Sequence, residues 1–415
     1  MERAELARRL GSTVAAGAER TVIAEADPRR FMAVFAAAVA GRGEVFLTDP
    51  AWGARERGQV EAGLAATPPG HEAERGWLMI PTGGSSGALR FARHDQGTVA
   101  AAVEGFCQHF CLGPVHAVGV LPLHHVSGFM AWMRCVLSGG AYVPVAWKAV
   151  ESGIWPALPE HPGGWVISLV PTQLERLLQD DAAIERLRHF RCIFLGGAPA
   201  WSALLEEAAD TGLRISTGYG MTETAAMATG LQPEEFQAGA RNQGRPLPQV
   251  RLRLEADGRI VLAGESLFRG YFPDWEANRE LTTEDLGRLD PAGHLTMLGR
   301  RDGLIITGGE KVRPEEVEAV LRATGQFSDV AVLGLADPEW GQKVVAAYAP
   351  GPEPEWSLVQ AGLGRALAAA KRPKQFVLVA PWPRNPQGKV NRPDLAAAVR
   401  DRLQLQREDA LPDFP

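Results

Sequence analysis

The sequence predicts an α/β fold in which a large N-terminal domain of mixed α/β sheets, with a small β region, precedes a small, mobile α+β domain. Three observations predict it. Apolar strand-length segments alternate with helical segments between about residues 77 and 210, a rhythm typical of a largely parallel sheet. Short alternating segments with Asp-Gly and Ala-Gly turns follow residue 250, which favours antiparallel strands. A compact α+β pattern follows residue 302, and 415 residues suffice for two domains or more.

We expect the first 75 or so residues to be mostly helical, with one strand near Glu44–Leu47 and a buried, alanine-rich helix over Phe31–Val39. A strand at Trp77–Ile80 then enters a glycine- and serine-rich loop. Three strand–helix pairs follow: a strand at Ala117–Leu121 with a helix from Gly128, a strand at Trp165–Leu169 with a helix from Pro171, and a strand at Cys192–Leu195 with a helix from Trp201.

The antiparallel region is predicted at Val250–Leu254, Arg259–Leu262 and His294–Leu298. The C-terminal unit is predicted to have strands near 330–335, 344–348 and 376–379 and helices near 314–321 and 357–370. We place the boundary at 301–303. The predicted domains are therefore 1–301, whose first 76 residues form an N-terminal subdomain, and 302–415.

The segment Gly299–Glu318 (GRRDGLIITGGEKVRPEEVE) is the most informative in the chain. It combines a Gly-Arg-x-Asp turn, a short apolar strand, a paired-glycine turn and a helix started by Pro314. The helix has acidic residues at its positively charged end and one apolar face, formed by Val317, Val320 and Leu321. An arginine and an aspartate beside a two-glycine turn are typical of a hinge before a small mobile domain.

Composition and charge exclude several classes of protein. A net charge of −6 with scattered Lys and Arg argues against nucleic-acid binding, and no apolar stretch has the roughly 20 residues of a membrane-spanning helix. The N-terminus MERAELARRL lacks the features of a signal peptide, so we expect a cytoplasmic protein. Cys107, His109 and Cys111 suggest a metal site, but 109 faces away from the other two on a helix, and we interpret the cysteines as buried thiols.

The stretch Pro81–Arg90 (PTGGSSGALR) follows a predicted strand. Amides and hydroxyls of such a loop can surround a phosphate chain, although glycine–serine loops are also simple connectors. It is not a Walker loop, because no Gly-Lys-Ser/Thr follows.

The stretch Thr217–Thr224 (TGYGMTET) offers an aromatic face at Tyr219 for a purine, a hydroxyl at Thr222 and a hard oxygen ligand for Mg²⁺ at Glu223. The alternative is a glycine turn that leads into a helix capped by Thr222.

These motifs, in this order, resemble those of the adenylate-forming superfamily, which includes acyl-CoA synthetases, adenylation domains of peptide synthetases and luciferases. The phosphate loop departs from the family pattern at Gly83, Ser86, Leu89 and Arg90, so we expect an altered affinity for pyrophosphate. The resemblance implies ATP, Mg²⁺ and coenzyme A as ligands. Its phosphate-loop residues would be Thr82, Gly84, Ser85, Ser86, Gly87 and Arg90.

The same resemblance assigns the other nucleotide contacts. Tyr219, between Gly218 and Gly220, would stack on adenine, and Gly197, Ala198 and Pro199 would line the other side of the base. Thr222 would contact the α-phosphate and Glu223 would hold the magnesium. Asp285 and Arg300 would bind the ribose, Asp302 would be the hinge, and Gly308 and Gly309 would let the pantetheine arm approach. Lys389, in a Pro-x-x-x-x-Gly-Lys-x-x-Arg stretch, would bridge the acyl carboxylate and the α-phosphate; without the family, such a lysine is a solvated loop residue.

Four further stretches resemble the o-succinylbenzoate–CoA ligase family of menaquinone synthesis: LPLHHVSGFM (121–130), SLVPTQLERLL (168–178), IFLGGAPA (193–200) and GGEKVRPEEVEAVL (308–321). His125 would then lie between the acyl and pantetheine pockets. The acid has a second carboxylate, for which Arg134 is the candidate partner, because a buried charge without a partner is costly. The alternative for Arg134 is a structural salt bridge. His124, Ser127 and Gln173 are additional candidates.

The resemblance implies a two-step ligase that forms an acyl-adenylate and then a CoA thioester. Alternatives are a ligase for another aryl or small acid, an enzyme that loads a carrier protein, and a nonenzymatic nucleotide-binding relative. The family usually has a longer N-terminal subdomain than the ~77 residues that precede the phosphate loop here. The sequence leaves open whether the chain forms a homo-oligomer.

Overall fold

The computed structural model describes residues 1–12, 19–41, 43–67, 76–83, 89–161, 163–276, 280–301, 303–308, 310–338, 340–384 and 390–408. The chain divides into two compact units. The first comprises Met1–Thr283 and Gly287–Met297, and the second comprises Glu284–Leu286 and Leu298–Pro415. The domain boundary predicted after residue 301 stays a prediction.

The helices of the first unit are α1 (Arg3–Arg9), α2 (Pro28–Ala40), α3 (Ala54–Ala66), α4 (Gln96–His109), α5 (Val126–Ser138), α6 (Trp147–Glu151), α7 (Pro171–Leu177), α8 (Asp181–Arg188), α9 (Ser202–Asp210) and α10 (Pro233–Gln237). Three of them, α2, α4 and α8, begin after an aspartate whose side chain accepts a hydrogen bond from the first turn.

A four-stranded sheet lies near the N-terminus. Its strands are β1 (Arg20–Ile23), β2 (Glu44–Leu47), β3 (Leu78–Gly83) and β4 (Leu89–His94), in that spatial order. The first three are parallel, and β3 and β4 form an antiparallel hairpin. The predicted strand at 44–47 and the buried helix over 31–39 are confirmed. The prediction of a single strand in this region was wrong, because β1 also pairs with β2 along its four residues.

A seven-stranded sheet forms the centre of the first unit and has the order β11–β10–β9–β8–β7–β5–β6. Strands β5 to β9 run parallel to one another, whereas β10 is antiparallel to β9 and β11 is antiparallel to β10. The strands are β5 (His116–Gly119), β6 (Tyr142–Pro144), β7 (Trp165–Leu169), β8 (Phe190–Leu195), β9 (Ile215–Met221), β10 (Ala226–Gly230) and β11 (Arg245–Pro246).

Both faces of this sheet are covered. Val166, Cys192 and Phe194 pack with residues of α4 and α5, whereas their strand neighbours Ile167 and Ile193 pack with residues of α7, α8 and α9. The strands are apolar on both sides for this reason, and the predicted α/β architecture is confirmed. Because parallel strands end at one edge of a sheet, the loops after β5, β7, β8 and β9 are neighbours there, where α/β proteins bind ligands.

A third sheet has the order β12 (Val250–Leu254), β13 (Arg259–Gly264), β14 (Glu280–Leu289) and β15 (Leu295–Arg300). Three of these strands match the prediction. The sequence analysis did not identify β14, whose ten residues include the acidic and polar run TTED.

The second unit has a sheet of order β17–β16–β19–β18, with β20 beside β19. Its α11 begins at Pro314 and buries Val317 and Leu321, as predicted. The elements are β16 (Ile305–Thr307), β17 (Glu310–Val312), α11 (Pro314–Ala323), β18 (Val330–Asp337), β19 (Gly341–Tyr348), α12 (Trp356–Ala366), β20 (Gln375–Leu378) and α13 (Arg392–Glu408). Among the described residues, no helix is long and apolar enough to cross a membrane.

Candidate active site

The TGYGMTET motif occupies β9 and a 3-10 helix, Thr222–Thr224, at the carboxyl edge of the central sheet. The chain then reverses into β10 through Ala225 and Ala226, whose φ angles are +51° and +79°. Non-glycine residues rarely adopt this left-handed region, and such strain clusters at functional sites. A Cβ at Gly220 would lie 1.7 Å from the carbonyl oxygen of Ala226, which explains the glycine. Thr222 therefore begins a short 3-10 turn that leads into β10, and not the helix capped by Thr222 that was the alternative.

A buried histidine anchors this turn. His94, at the end of β4, places Nε2 2.8 Å from the carbonyl oxygen of Thr222. Burial lowers the pKa of His94 to about 4, so the ring is neutral and Nε2 donates the hydrogen bond. The Nδ1 atom faces the Thr98 hydroxyl at 3.0 Å. The backbone of Thr222 is therefore fixed by the central strands and by β4.

Asp95, which follows His94, links the start of α4 to the segment that carries Arg269. Asp95 caps α4, and its carboxylate accepts a 2.8 Å hydrogen bond from Nε of Arg269 in a buried pair. Burial by itself would raise the pKa of Asp95, but the bonds from Arg269 hold it below its ordinary value. A buried ion pair in this place fixes geometry more than it adds stability.

Glu223 has one oxygen engaged by a residue that the sequence analysis missed. The hydroxyl of Tyr271 donates to Oε1 of Glu223 at 2.6 Å, and the guanidinium of Arg90 lies 4.2 Å above the Tyr271 ring. Burial and the adjacent carboxylate raise the pKa of Tyr271, so the phenol stays protonated. The backbone oxygen of Glu223 accepts from Phe268 N at 2.8 Å. Arg90, at the end of the predicted phosphate loop, is thereby connected to the predicted magnesium ligand.

The predicted adenine contacts lie on two adjacent strands. Tyr219 is on β9, and its side chain packs among apolar residues that include Val250 and Leu267. Gly218 is half-buried and Gly220 is exposed. Gly197, Ala198 and Pro199 follow the neighbouring β8 and are exposed at the same edge. The strand order therefore brings the two predicted sets of residues to neighbouring strand ends.

The predicted phosphate loop joins the antiparallel strands β3 and β4, in which Thr82 pairs with Arg90. Thr82 is buried, and among the described residues its hydroxyl has no hydrogen-bond partner, so it can bond to a ligand. Gly84, Ser85, Ser86 and Gly87 lie outside the described residues.

The predicted acyl-site histidines precede α5. His125 is the N-cap residue of α5, and Ser127 lies in its first turn, both half-buried. The buried His124 stands next to Asp49, with Nε2 3.6 Å from Oδ2 of that residue. Gln173 lies at the start of α7, where its Oε1 accepts from Val170 N at 3.0 Å. Its amide oxygen is thus engaged in capping a helix.

Arg134 lies in the core between α4 and α5. Its guanidinium stacks 3.7 Å above the centroid of the Phe106 ring, and its buried Nε has no hydrogen-bond partner among the residues that the structure describes. Burial lowers the pKa of Arg134 to about 10, which leaves the side chain charged at neutral pH. It follows His125 by nine residues of α5, about 13 Å along the axis. Among the described side chains, no carboxylate forms the salt bridge that was the structural alternative.

The two predicted ribose contacts meet in the second unit. Arg300 Nη1 lies 3.0 Å from Oδ1 of Asp285. Asp285 is buried on β14 and Arg300 is partly exposed on β15. The structure thus brings together two residues that the sequence analysis linked only through the family motif.

The paired-glycine turn lies between β16 and β17. Gly308 has φ +56°, its N–H donates to the Trp340 carbonyl at 2.8 Å, and a Cβ there would lie 2.8 Å from the Trp340 ring. A side chain at 308 would therefore be strained and would collide with the indole. Gly309 and the predicted hinge Asp302 lie outside the described residues.

Lys389 also lies outside the described residues, but the structure describes both sides of its segment. Arg384 and Val390 form an antiparallel bridge, and Asn391 N donates to Pro383 O at 3.0 Å. Arg392, the last residue of the lysine motif, contacts the buried Glu318 of α11 at 2.6 Å. The described residues on both sides of positions 385–389 are therefore tied to each other and to the core of the second unit.

The cysteine and histidine cluster near residue 109 has other contacts. Nε2 of His109 lies 2.9 Å from the carbonyl oxygen of Gly230. Cys107 is half-buried on α4. The interpretation of Cys111 as a buried thiol on the helix was wrong, because α4 ends at His109 and Cys111 is exposed with φ +49°.

Taken together, the first unit presents a hydrogen-bonded turn with a hydroxyl at Thr222 and a carboxylate at Glu223, near the cation Arg90 on β4 and beside the end of β8, which Gly197 follows. This set can bind a phosphate chain with its divalent ion. Sequence reasoning missed His94, Asp95, Arg269 and Tyr271. Asp95-x-x-Thr98 is a capping signature and was the one available signal; the other contacts join distant segments.

Comparison with known proteins agrees with this geometry. Residues 12–272 match the family model of AMP-binding enzymes, and residues 316–389 match that of the AMP-binding enzyme C-terminal domain. A probable 2-succinylbenzoate–CoA ligase of Mycobacterium tuberculosis (strain CDC 1551 / Oshkosh) is 33% identical over 379 residues, which is 83% of this chain and 93% of that protein. A 2-succinylbenzoate–CoA ligase of Bacillus cereus (strain Q1) is 31% identical over 349 residues, 79% of this chain and 71% of that protein.

Two solved structures share the fold. The o-succinylbenzoate CoA synthetase (MenE) of Bacillus subtilis, in complex with the acyl-adenylate intermediate OSB-AMP, is 25% identical, with a TM-score of 0.76 over 95% of this chain and 91% of that chain. ATP-bound MatB of Rhodopseudomonas palustris is 22% identical, with a TM-score of 0.76 over 96% and 92%. The second likeness concerns the fold alone.

Proposed function

Because the chain belongs to the AMP-binding enzyme family, we propose that it is an ATP-dependent, AMP-forming 2-succinylbenzoate–CoA ligase of menaquinone biosynthesis. The observation that carries the chemistry is the turn at Thr222 and Glu223, which His94 and Tyr271 hold in place. The choice of acid is supported by a relative of that name, 33% identical along 93% of its own length.

In the first half-reaction, the aliphatic carboxylate of 2-succinylbenzoate attacks the α-phosphorus of ATP. A carboxylate–phosphorus bond forms, the bond to the β-phosphate bridge breaks, and pyrophosphate leaves. We assign the Thr222 hydroxyl and Lys389 to the oxygens on which negative charge develops; one such donor is typically worth about 3–4 kcal/mol. Glu223 would hold the magnesium that accompanies ATP as a hard oxygen ligand, and the ion would neutralise phosphate charge.

In the second half-reaction, the sulfur of CoA attacks the acyl carbon, AMP leaves, and the thiol proton is released. We assign Gly308 and Gly309 to the passage of the pantetheine arm, because glycines permit a close approach to the backbone. We assign Asp302 to the hinge on which the C-terminal domain turns between the two steps, a form of conformational gating.

For the nucleoside, we assign Tyr219, with Gly218 and Gly220, and the segment Gly197–Pro199 to the adenine, and Asp285 with Arg300 to the ribose. His125 is assigned to the acyl site, with Ser127 and His124 nearby. Gln173 is a less favourable candidate, because its amide oxygen already caps α7. We expect the reaction to take place in the cytoplasm, and a homo-oligomer is compatible with the proposal.

The test is mass spectrometry of the full chain with Mg·ATP, CoA and 2-succinylbenzoate. We expect AMP and a mono-CoA thioester, and acyl-adenylate without thioester when CoA is omitted. A parallel reaction with a panel of aryl acids and small dicarboxylic acids measures selectivity. Absence of thioester with every acid would refute the ligase function.

A second candidate is an AMP-forming ligase for another small acid. It is favoured by the position of Arg134, the candidate partner of the second carboxylate, whose buried guanidinium stacks on the Phe106 ring. Thioester formation with another acid of the panel, and none with 2-succinylbenzoate, would keep the adenylation chemistry and replace the substrate.

A further inference from the structure

Three side chains from distant parts of the first unit form a small buried cluster. Asp49 follows β2, and His124 and His125 stand immediately before α5. The two imidazole centroids are 4.3 Å apart. One nitrogen or oxygen atom from each of the three side chains lies within 4.8 Å of the others.

In the part of the chain that the structure describes, two polar atoms of this cluster lack hydrogen bonds. Asp49 is only 4% exposed; its Oδ1 accepts from Ala51 N at 2.8 Å, but its buried Oδ2 has no hydrogen-bond partner among the described residues. The buried Nε2 of His124 likewise has none among them and faces that oxygen at 3.6 Å. Leaving a buried carboxylate oxygen without a partner is costly. A cation between the two atoms would satisfy both of them.

The spacing of the two atoms is compatible with a metal ion between them. A proton on His124 would give a hydrogen bond only if the two atoms moved closer, to about 2.7–2.9 Å. Two ligands of a tetrahedral ion, each about 2.0–2.1 Å from it, lie about 3.3–3.4 Å apart, which is close to the observed 3.6 Å. The third atom, within 4.8 Å, reaches this spacing after a shift of roughly 1 to 1.5 Å.

The donor set also indicates the type of ion. Two imidazoles and one carboxylate suit Zn²⁺ and similar divalent transition metals, whereas Mg²⁺ prefers oxygen alone. Three protein ligands leave a fourth position open for water. His125 is half-buried, which places the cluster close to the surface.

We propose that Asp49, His124 and His125 form a binding site for a divalent transition-metal ion of the Zn²⁺ type, separate from the magnesium that accompanies ATP. His124 and His125 are also the histidines that we place at or near the acyl site, so the proposal concerns the chain without bound acid. It does not rest on the proposed ligase activity, and binding is measured in the absence of any substrate.

Co²⁺ is the probe, because its visible d–d absorption is strong in a tetrahedral site and weak in an octahedral one. The full chain is stripped with a chelator and titrated with Co²⁺ in the absence of ATP. We expect a tetrahedral spectrum at one ion per chain, displaced by Zn²⁺. Thermal unfolding should shift upward with Zn²⁺, because an ion that binds only the folded state stabilises it.

Two variants test the ligands. Asp49→Asn keeps the oxygen that accepts from Ala51, and His124→Gln keeps a polar side chain of similar size. Each should weaken Co²⁺ binding by more than about 100-fold, since changes even in residues behind metal ligands cost about 10- to 100-fold. The control is His294→Gln, which removes an imidazole flanked by Asp290 and Glu235 and should leave the Co²⁺ affinity unchanged.

Four results would overturn the proposal: no tetrahedral spectrum in the wild-type chain; equal affinity in Asp49→Asn or His124→Gln; cobalt–thiolate charge-transfer bands, which would place the ion on a cysteine; or a protonated His124 at neutral pH, seen by NMR, without metal uptake. If Asp49→Asn fails to fold by circular dichroism, His124→Gln decides the question.

Discussion

The hydroxyl of Tyr271 is the most direct test of how the site is organised. Tyr271→Phe removes one oxygen atom and keeps the ring on which Arg90 stacks and against which Phe268 packs with a centroid distance of 4.8 Å. The variant should therefore fold. Its one lost interaction is the 2.6 Å hydrogen bond to Oε1 of the buried Glu223.

The size of the effect follows from this contact. A hydrogen bond to a charged acceptor is worth about 1.5–3 kcal/mol. If catalysis requires Glu223 in the orientation that Tyr271 gives it, losing this hydrogen bond raises the free energy of the transition state for adenylation by the same amount. Because about 1.4 kcal/mol corresponds to a factor of ten, kcat/KM for Mg·ATP should fall by roughly 10- to 150-fold.

Pyrophosphate release at varied Mg²⁺ and ATP measures this effect, with Tyr348→Phe in the second unit as the control. A second measurement isolates the coupling: added to Glu223→Gln, Tyr271→Phe should cost less than it does in the wild-type chain, because the two residues act as one unit. Full activity of Tyr271→Phe, or an equal cost in both backgrounds, would refute the idea that the tyrosine acts through Glu223.

Three further predictions concern other parts of the site. Burial holds the pKa of His94 at about 4 in the folded chain. Below about pH 6.5 the unfolded chain therefore takes up a proton that the folded chain excludes. The free energy of unfolding should fall by about 3 kcal/mol as the pH is lowered from 7 to 4. Urea unfolding at several pH values should show that His94→Gln removes this part of the pH dependence, and identical slopes would contradict the assignment. Lys389→Ala should abolish adenylate formation, measured as pyrophosphate release, while supplied acyl-adenylate still reacts with CoA; equal damage to both steps would count against the role of the lysine. Arg134→Met should raise KM for the acid by about 10-fold or more and leave KM for Mg·ATP unchanged, whereas an unchanged KM for the acid would make Arg134 a packing residue on Phe106.

Much of the fold was predictable because its signals are local. The apolar segments that became β7 and β8, and the proline before α11, have their meaning within a few residues of chain. Strand β1 was missed because its four residues pair with β2 more than twenty residues away, and β14 was missed because its polar run does not alternate clearly. Tertiary pairing overrides weak local patterns of this kind.

The candidate site likewise contains residues that local motifs predict and residues that only the fold brings together. The motif residues Thr222, Glu223 and Asp285 could be named from their order in the chain. The residues that hold them could not, because Tyr271 lies 48 positions from Glu223 and His94 lies 128 positions from Thr222. Nothing in the sequence around Tyr271 or His94 marks either residue as part of a site. The Asp49–His124 pair was missed for the same reason.

The bridge between Arg384 and Val390 has a mechanical consequence for the proposed lysine. A five-residue segment with tied ends extends at most about 10 Å from its base, since one extended residue spans about 3.5 Å. To move farther than this, Lys389 has to be carried by a displacement of the second unit, which has about 120 residues. Solvent friction on that unit, more than torsional freedom in one loop, would then govern how fast the lysine arrives and departs. Turnover limited by this step would slow in proportion to solvent viscosity and would be insensitive to the sequence of residues 385–387.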